Sequence, residues 1–306
     1  MRLQILHVTT YAYRAPVALL AHQMMLSPRG SHALRPISAD LSCEPPAEFE
    51  WTQDVFGNLI ATASFPDPTA QLVITNRVTV EQTAAAWPIL KIAPHAHYYP
   101  FDYSHEERTD LGALLVPEHP DPEGRLADWA RALVLGGDTD TLSLLQDVNA
   151  AARIGMTYVT RDEVGTQPPH LTLDLASGSC RDLATLFIEA VRHLGFPARA
   201  VSGYLFDPPI SGDPADRDNQ HGATHAWAEV YLPCAGWIAF DPTNGRMGEA
   251  HLVPVAVGRS IGQLSPVDGR YIGAADAFLG MRVEVTVSAG GQSLEFEAED
   301  RPWNLD

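Results

Sequence analysis

Apolar residues at helical spacing, Leu183, Leu186, Phe187, Ala190, Val191 and Leu194, begin three residues after Cys180 and stop at Gly195, with Pro197 behind it. Residues three and four apart share one face of an α-helix, so this stripe must be buried against another layer. The spacing predicts a helix from Ser179 as N-cap to Leu194, closed by the glycine. Strand-like segments follow: Ala198 to Phe206, then a hairpin of Thr224 to Leu232 and Gly236 to Asp241. Between them, Asp207 to Gly222 reads as a loop of prolines and aspartates. One amphipathic helix beside antiparallel strands predicts an α+β core in which the helix packs on a sheet.

Residues 1–86 carry a different period. Arg2 to Tyr13, Val17 to Leu26, Ile37 to Cys43, Phe49 to Asp54, Leu59 to Phe65 and Gln71 to Glu81 read as short strands separated by turn signals such as Gly57-Asn58. That pattern predicts an antiparallel β-sandwich. Residues 87–122, rich in proline, histidine and tyrosine, read as a linker. Its His95 and His97 have no acidic residue or cysteine at ligand spacing and read as linker residues. Residues 123–250 form the core, opening with helices Glu123 to Leu135 and Thr141 to Arg153. Residues 251–306 read as a C-terminal extension with a hairpin, Met281 to Val287 and Ser293 to Glu297, expected to lie with the β domain or at an edge of the core.

Composition narrows the partners. A net charge of −18, from 38 acidic and 20 basic residues, argues against nucleic acid or an anionic membrane, because both carry the same sign. No basic stretch followed by a long apolar run opens the chain, and no window of ~18 apolar residues occurs. Cys43, Cys180 and Cys234 cannot all pair within one chain and match no zinc spacing, which fits a reducing cytoplasm. No metal or cofactor is expected, and oligomeric state is not written in the sequence.

The chemistry gathers around one sulfur. Cys180 lies in Ser177-Gly178-Ser179-Cys180-Arg181-Asp182, at the first turn of the expected helix. Unpaired N–H groups and the positive end of the helix dipole stabilise an anion there, lowering a thiol from its usual ~8.5. Ser179 and Asp182 have capping-box spacing, with Ser179 expected to accept from the Asp182 N–H, Asp182 to point away from the sulfur and Arg181 to be solvated. His225 and Asp241 supply a base and a carboxylate to orient it. They share a face of the hairpin only if the connecting loop is odd in length. A three-residue loop, Pro233-Cys234-Ala235, sets Leu232 opposite Gly236 and Asp241 opposite Trp227, diagonal to His225.

These segments carry a resemblance that covers nearly the whole chain. Gly-Ser-Cys-Arg-Asp before a helix, Pro197 to Leu205, His225-Ala226-Trp227-Ala228-Glu229-Val230-Tyr231 and Gly236 to Gly245 resemble the core of the bacterial transglutaminase-like family. Thr10 to Val17 and Leu26-Ser27-Pro28-Arg29 are similar to the N-terminal β domain that accompanies it, and His251 to Gly258 to the segment after the core. Ala239 departs from the glycine common there, a matter of packing. The resemblance implies a papain-like fold with Cys180 as nucleophile, His225 as base and Asp241 holding it. It implies acyl transfer on a peptide or amide substrate through a thioester, with hydrolysis the expected outcome and transfer to an amine the alternative. The Cys180 backbone N–H would meet the oxyanion together with a second donor not assignable from sequence. Trp227 and Trp237 are candidates to line the acyl groove or to fill the core.

Two further readings remain. A metal hydrolase would have to draw on Cys180, His221, His225 or Asp241, without a second cysteine or an HExxH pattern. A non-catalytic binding module would keep the fold and hold its partner through the β domain. The acidic loop between Phe206 and Gly222 suggests a negative rim that disfavours acidic substrates.

Overall fold

The computed structural model describes residues 1–161, 163–206 and 223–289. The expected acidic loop, His221 and the hairpin strand Ser293 to Glu297 lie outside the described residues.

The N-terminal region is a sandwich of two antiparallel sheets. Arg2–Leu19 is one long strand rather than two; the expected break at Ala15-Pro16 appears as a register shift between Ala12 and Val17. A proline removes a ladder donor, and Pro16 is tolerated here because it sits at an exposed irregularity. This strand lies between Thr69–Gln82 and Phe278–Ala289, and Leu34–Glu44 flanks the former. The second sheet joins Val267–Asp268, His22–Met24, Leu59–Ser64 and Glu48–Gln53. Tyr13, Val17, Met24, Ala61, Leu72 and Ile74 fill the space between them.

The second region is built on a sheet in the order Arg246–Met247, Gly236–Asp241, Ala223–Leu232, Ala198–Leu205, Leu252–Gly258, antiparallel throughout. The helix Cys180–His193 lies across one face. Its Leu186, Phe187, Ala190 and Val191 meet Ala200, Ala228, Val230 and Phe240, and the Phe187 and Phe240 rings stack with centroids 5.3 Å apart. Alanines on the strands let the helix approach closely, and each large side chain buried here contributes roughly 1.5–3 kcal/mol. The helix ends in a Schellman motif: Gly195 has φ +87°, its N–H reaches Arg192 O at 2.9 Å, and Phe196 N–H reaches Val191 O at 2.9 Å.

Two segments outside the core are tied into the fold. Residues 87–122 are not an open linker: Ile92, Ala93, Ala96 and Tyr103 are buried, and a short helix, His105–Leu111, forms within them. A buried ion pair holds the segment down. Arg192 binds Glu189 at 2.7 Å and the Leu114 carbonyl at 3.1 Å, while Glu189 accepts the N–H groups of Glu118 and His119, both at 2.7 Å. Residues beyond 250 are shared between the two regions. Leu252–Gly258 is a strand of the core sheet, and Phe278–Ala289 returns to pair with Arg2–Leu19.

The two regions are joined through an apolar seam. Leu3, Ile5, Val78 and Val80 from the sandwich pack on Tyr204, Phe206, Val253 and Val255 of the core sheet. The sheet of the core is therefore covered on both faces, by the helix on one side and by the β domain on the other.

Candidate active site

The loop Pro233-Cys234-Ala235 is three residues long, with Cys234 at φ +66°, and Leu232 pairs with Gly236. Carried along the ladder through Ala228 and Phe240, this register places Asp241 and His225 on one face. His225 Nε2 and Asp241 Oδ2 are 3.0 Å apart, in a close, off-axis contact. The imidazole is 7 % exposed and the carboxylate 2 %.

A turn holds Asp241. Its Oδ1 accepts from the N–H groups of Thr243 at 3.0 Å and Asn244 at 3.2 Å, and its Oδ2 accepts the Asn244 side-chain amide at 2.7 Å. Burial raises the carboxyl pKa, but His225 and Asn244 outweigh it, and the net shift is downward. An aspartate hydrogen-bonding the backbone two and three residues on is an Asx turn, which the Asp-Pro-Thr-Asn sequence favours. Asn244 is thus a supporting residue that the sequence signals through its turn.

Cys180 sits at the first helical position, partly buried, where the His225 ring and the Ala226 backbone N–H both reach its sulfur. With Nε2 turned to Asp241, Nδ1 is left for the thiol. Burial opposes both charges, yet the pair overrides it. The Cys180 pKa is lowered, by His225 first and then by the Ala226 N–H and Arg181, while His225 is raised to about 9 by Asp241 and Cys180. The arrangement favours a thiolate beside an imidazolium.

Ser179 and Asp182 form the capping box at the first turn of the helix, and Asp182 binds beyond it. Asp182 is fully buried; its Oδ2 accepts the Ser179 N–H at 2.9 Å, which is the reach-back half of the capping box, and also the Ser179 hydroxyl at 2.8 Å. Oδ1 takes Arg161 at 2.7 Å and the Gln167 N–H at 2.6 Å. Arg181 is not free in solvent, because its guanidinium donates to the carbonyls of Arg161 at 2.8 Å and Glu163 at 3.1 Å. These bonds pin the chain on either side of residue 162 beside the sulfur.

The two tryptophans are placed differently. Trp227 is 1 % exposed, stacks on the His225 ring at 6.1 Å, and packs with Val201, Ala239, Leu252 and Val257. It faces the β domain, which explains why alternation alone could not place it. Trp237, four residues before Asp241 and so roughly 13 Å along the strand, lies under the Arg199 guanidinium at 4.1 Å.

One neighbour of the sulfur gives no sequence signal. Tyr158 pairs in parallel with Gly178, two residues before Cys180. Its hydroxyl pKa is raised, by partial burial and then by the nearby Cys180 sulfur. Among the described residues no group of three or more histidine, cysteine, aspartate or glutamate side chains is placed to hold a metal ion, and no helix is long and apolar enough to cross a membrane.

Comparison with known proteins agrees with this architecture. Residues 3–81 match the bacterial transglutaminase-like N-terminal region and residues 127–242 the transglutaminase-like superfamily. An uncharacterized protein of Mycobacterium tuberculosis is 25 % identical over 299 residues, covering 94 % of each chain. A protein-glutamine gamma-glutamyltransferase of Pseudomonas aeruginosa is 28 % identical over 173 residues, 56 % of this chain and 24 % of that protein. Among solved structures, a Cytophaga hutchinsonii protein provisionally named a cysteine protease superposes with a TM-score of 0.69 at 19 % identity, covering 98 % of this chain and 95 % of that one. The β-sandwich, the helix that starts at Cys180 and the sheet carrying His225 and Asp241 thus have their counterpart in a known group: residues 127–242 belong to the transglutaminase-like superfamily, behind a bacterial transglutaminase-like N-terminal region at 3–81.

Proposed function

We propose that this protein is a cysteine-dependent acyl-transfer enzyme acting on peptide or amide substrates, with hydrolysis as its outcome. The observation that carries the reading is the line of contact from Cys180 through the His225 ring to Asp241, buried and electrostatically tuned along its length. The thiolate attacks the amide carbonyl and forms a carbon–sulfur bond. The C–N bond then breaks as His225 gives its proton to the leaving amine. Water, activated by the now neutral His225, attacks the thioester, releasing a carboxylic acid and restoring the thiol. Asp241 orients the ring and favours its charged form, and the Cys180 backbone N–H, left without an intrahelical partner at the helix start, faces the developing oxyanion.

Incubating the enzyme with an acyl-amide and excess primary amine tests the outcome. Free acid as the product supports hydrolysis; a new amide moves the assignment to transamidation; no turnover, with Cys180→Ala indistinguishable from the native protein, removes the catalytic reading. Three unpaired cysteines favour a reducing compartment, the cytoplasm, which fractionation of cells expressing the protein checks.

A further inference from the structure

The first strand changes character along one face. Leu3 and Ile5 on that face belong to the apolar seam with the core sheet, but the next residues pointing the same way are His7, Thr9 and Tyr11. Their cross-strand neighbours on Phe278–Ala289 are Val285, Val283 and Met281. At this point the two domains part, and a cleft of about 410 Å³ opens between them.

Its floor is the edge of the β domain, with Thr9, Tyr11, Met281 and Val283. Leu264 and Pro266, on the segment that crosses between domains, make one wall, and Val164 and Arg181 of the core make another. Thr224, the residue before His225, also lines the cleft, and so does Arg181, the residue after Cys180. A smaller space shares His7, Thr224 and Pro266 with it and is lined by His225 itself. The cleft therefore lies beside His225, with residues adjacent in sequence to both Cys180 and His225 on its lining.

Its chemistry is uneven with the rest of the molecule. Although the chain carries a net charge of −18, no aspartate or glutamate among the described residues lines the cleft. His7 is kept neutral, its pKa pushed down to about 4 by burial, and both ring nitrogens are engaged, with Tyr204 and Thr9 at 3.0 Å each. Three aliphatic or thioether side chains face outward without cover: Val164 is 99 % exposed, Met281 54 % and Val283 41 %. A concave, mostly apolar surface with a few hydroxyls, opening beside a nucleophile, is the form a substrate site takes.

We propose that this interdomain cleft is the substrate-side-chain site: it holds the apolar, uncharged side chains of an extended peptide whose backbone amide is presented to Cys180, with the β domain supplying half of the binding surface. The inference rests on the acyl-transfer reading for the identity of the reacting bond. Binding to the cleft does not require turnover, so the two can be tested apart.

The test uses the full chain carrying Cys180→Ala and fluorescein-labelled, end-blocked peptides of about ten residues in which serine alternates with leucine, lysine or glutamate, so that one side of an extended backbone carries the variable residue. Anisotropy titration should show the leucine peptide binding roughly ten-fold or more tightly than the other two, the size expected from burying a few aliphatic groups. Val283→Asp should erase that preference, as should Met281→Lys as a second, half-exposed position. Val55→Asp, on an outward turn of the β domain where the side chain is 94 % exposed, should leave it intact. Thermal melts of each variant establish folding. Leucine binding unaffected by both cleft variants, or a preference for the lysine or glutamate peptide, overturns the inference. Leucine-selective binding in a protein whose native form turns nothing over keeps the cleft and removes the acyl-transfer reading; turnover without leucine selectivity does the reverse.

Discussion

Gly203 makes room for Trp227. The two lie on adjacent strands, Gly203 opposite His225, and a Cβ at 203 would stand 2.8 Å from Trp227 Cη2 and 2.1 Å from the Val253 carbonyl oxygen. Since Trp227 backs the imidazole, the absent methyl group sets the depth at which His225 sits. Gly203→Ala should cost ~1–3 kcal/mol through overpacking, lowering Tm, and should slow alkylation of Cys180 by displacing the ring. Gly137→Ala, with nothing within 4 Å of its Cβ, is the control. A melt and an alkylation rate equal to those of the native protein would show that the sheet yields freely there.

Thiol reactivity should separate the cysteines. Cys180 is lowered by His225, whereas burial pushes Cys43 up to about 12. At pH 7 iodoacetamide should modify Cys180 well ahead of Cys43, as read by peptide mass spectrometry, and His225→Ala should slow Cys180 by roughly ten-fold or more, because burial is then opposed only by the Ala226 N–H and Arg181. Equal, slow labelling of both in the native protein would falsify the activated nucleophile.

The pH profile of turnover follows from the same pair. The acid limb should lie below an ordinary thiol pKa, since Cys180 must ionise and its pKa is depressed. The alkaline limb should fall near pH 9, where His225 loses the proton it donates to the leaving amine. Because these are coupled groups, the two limbs belong to the pair. An activity maximum above pH 10 would contradict the assignment of His225 as the acid.

Asp241 and its turn can be weakened in steps. Asp241→Asn should lower kcat by roughly 10²–10⁴-fold, having removed the charge that stabilises the imidazolium. Asn244→Ala removes the 2.7 Å bond to Oδ2 and leaves the carboxylate in place, so a loss nearer ten-fold is expected, with a stability cost of ~1 kcal/mol. Steady-state kinetics and urea melts distinguish the two; an Asn244→Ala loss as large as that of Asp241→Asn would place the asparagine in the chemistry.

Acid should loosen the helix start. The Asp182 pKa is lowered: burial opposes its charge, but the Gln167 and Ser179 bonds and Arg161 prevail. A carboxyl depressed in the folded state contributes stability that is complete above its unfolded value of about 4 and is lost as pH falls through the folded one. Asp182→Asn should cost ~1–3 kcal/mol at pH 7 and flatten the acid side of the stability curve in urea melts. An unchanged curve would mean the anchoring of Arg161 and Gln167 is energetically idle.

Much of this site was legible because two periodicities constrain it. The stripe from Leu183 to Leu194 puts Cys180 at a helix start, and a three-residue loop at Pro233 permits His225 and Asp241 to share a face without requiring it; the roles of the three came with the family resemblance. Trp227 and Trp237 were not legible, because alternation tells which face of a strand a side chain takes and not what lies over that face. The β domain covers Trp227, a contact between residues far apart in sequence. Phe278–Ala289 was expected with the β domain or at an edge of the core, but its partner strand Arg2–Leu19 was hidden for the same reason. The helices His105–Leu111 and Pro169–Leu175 are seven residues each and bury too little of one side to leave a stripe.

That long-range pairing has a consequence for how the molecule comes into being. The first strand emerges from the ribosome early, but one of its two neighbours follows only after the entire core has been made. Until then its edge stays open, and the floor formed by Met281 and Val283 does not exist. With chain growth at roughly 5–20 residues per second, the core can close around Cys180 a few seconds before the cleft beside it is complete. Synthesis itself thus separates in time the moment when the sulfur can be reactive from the moment when the enzyme can be selective.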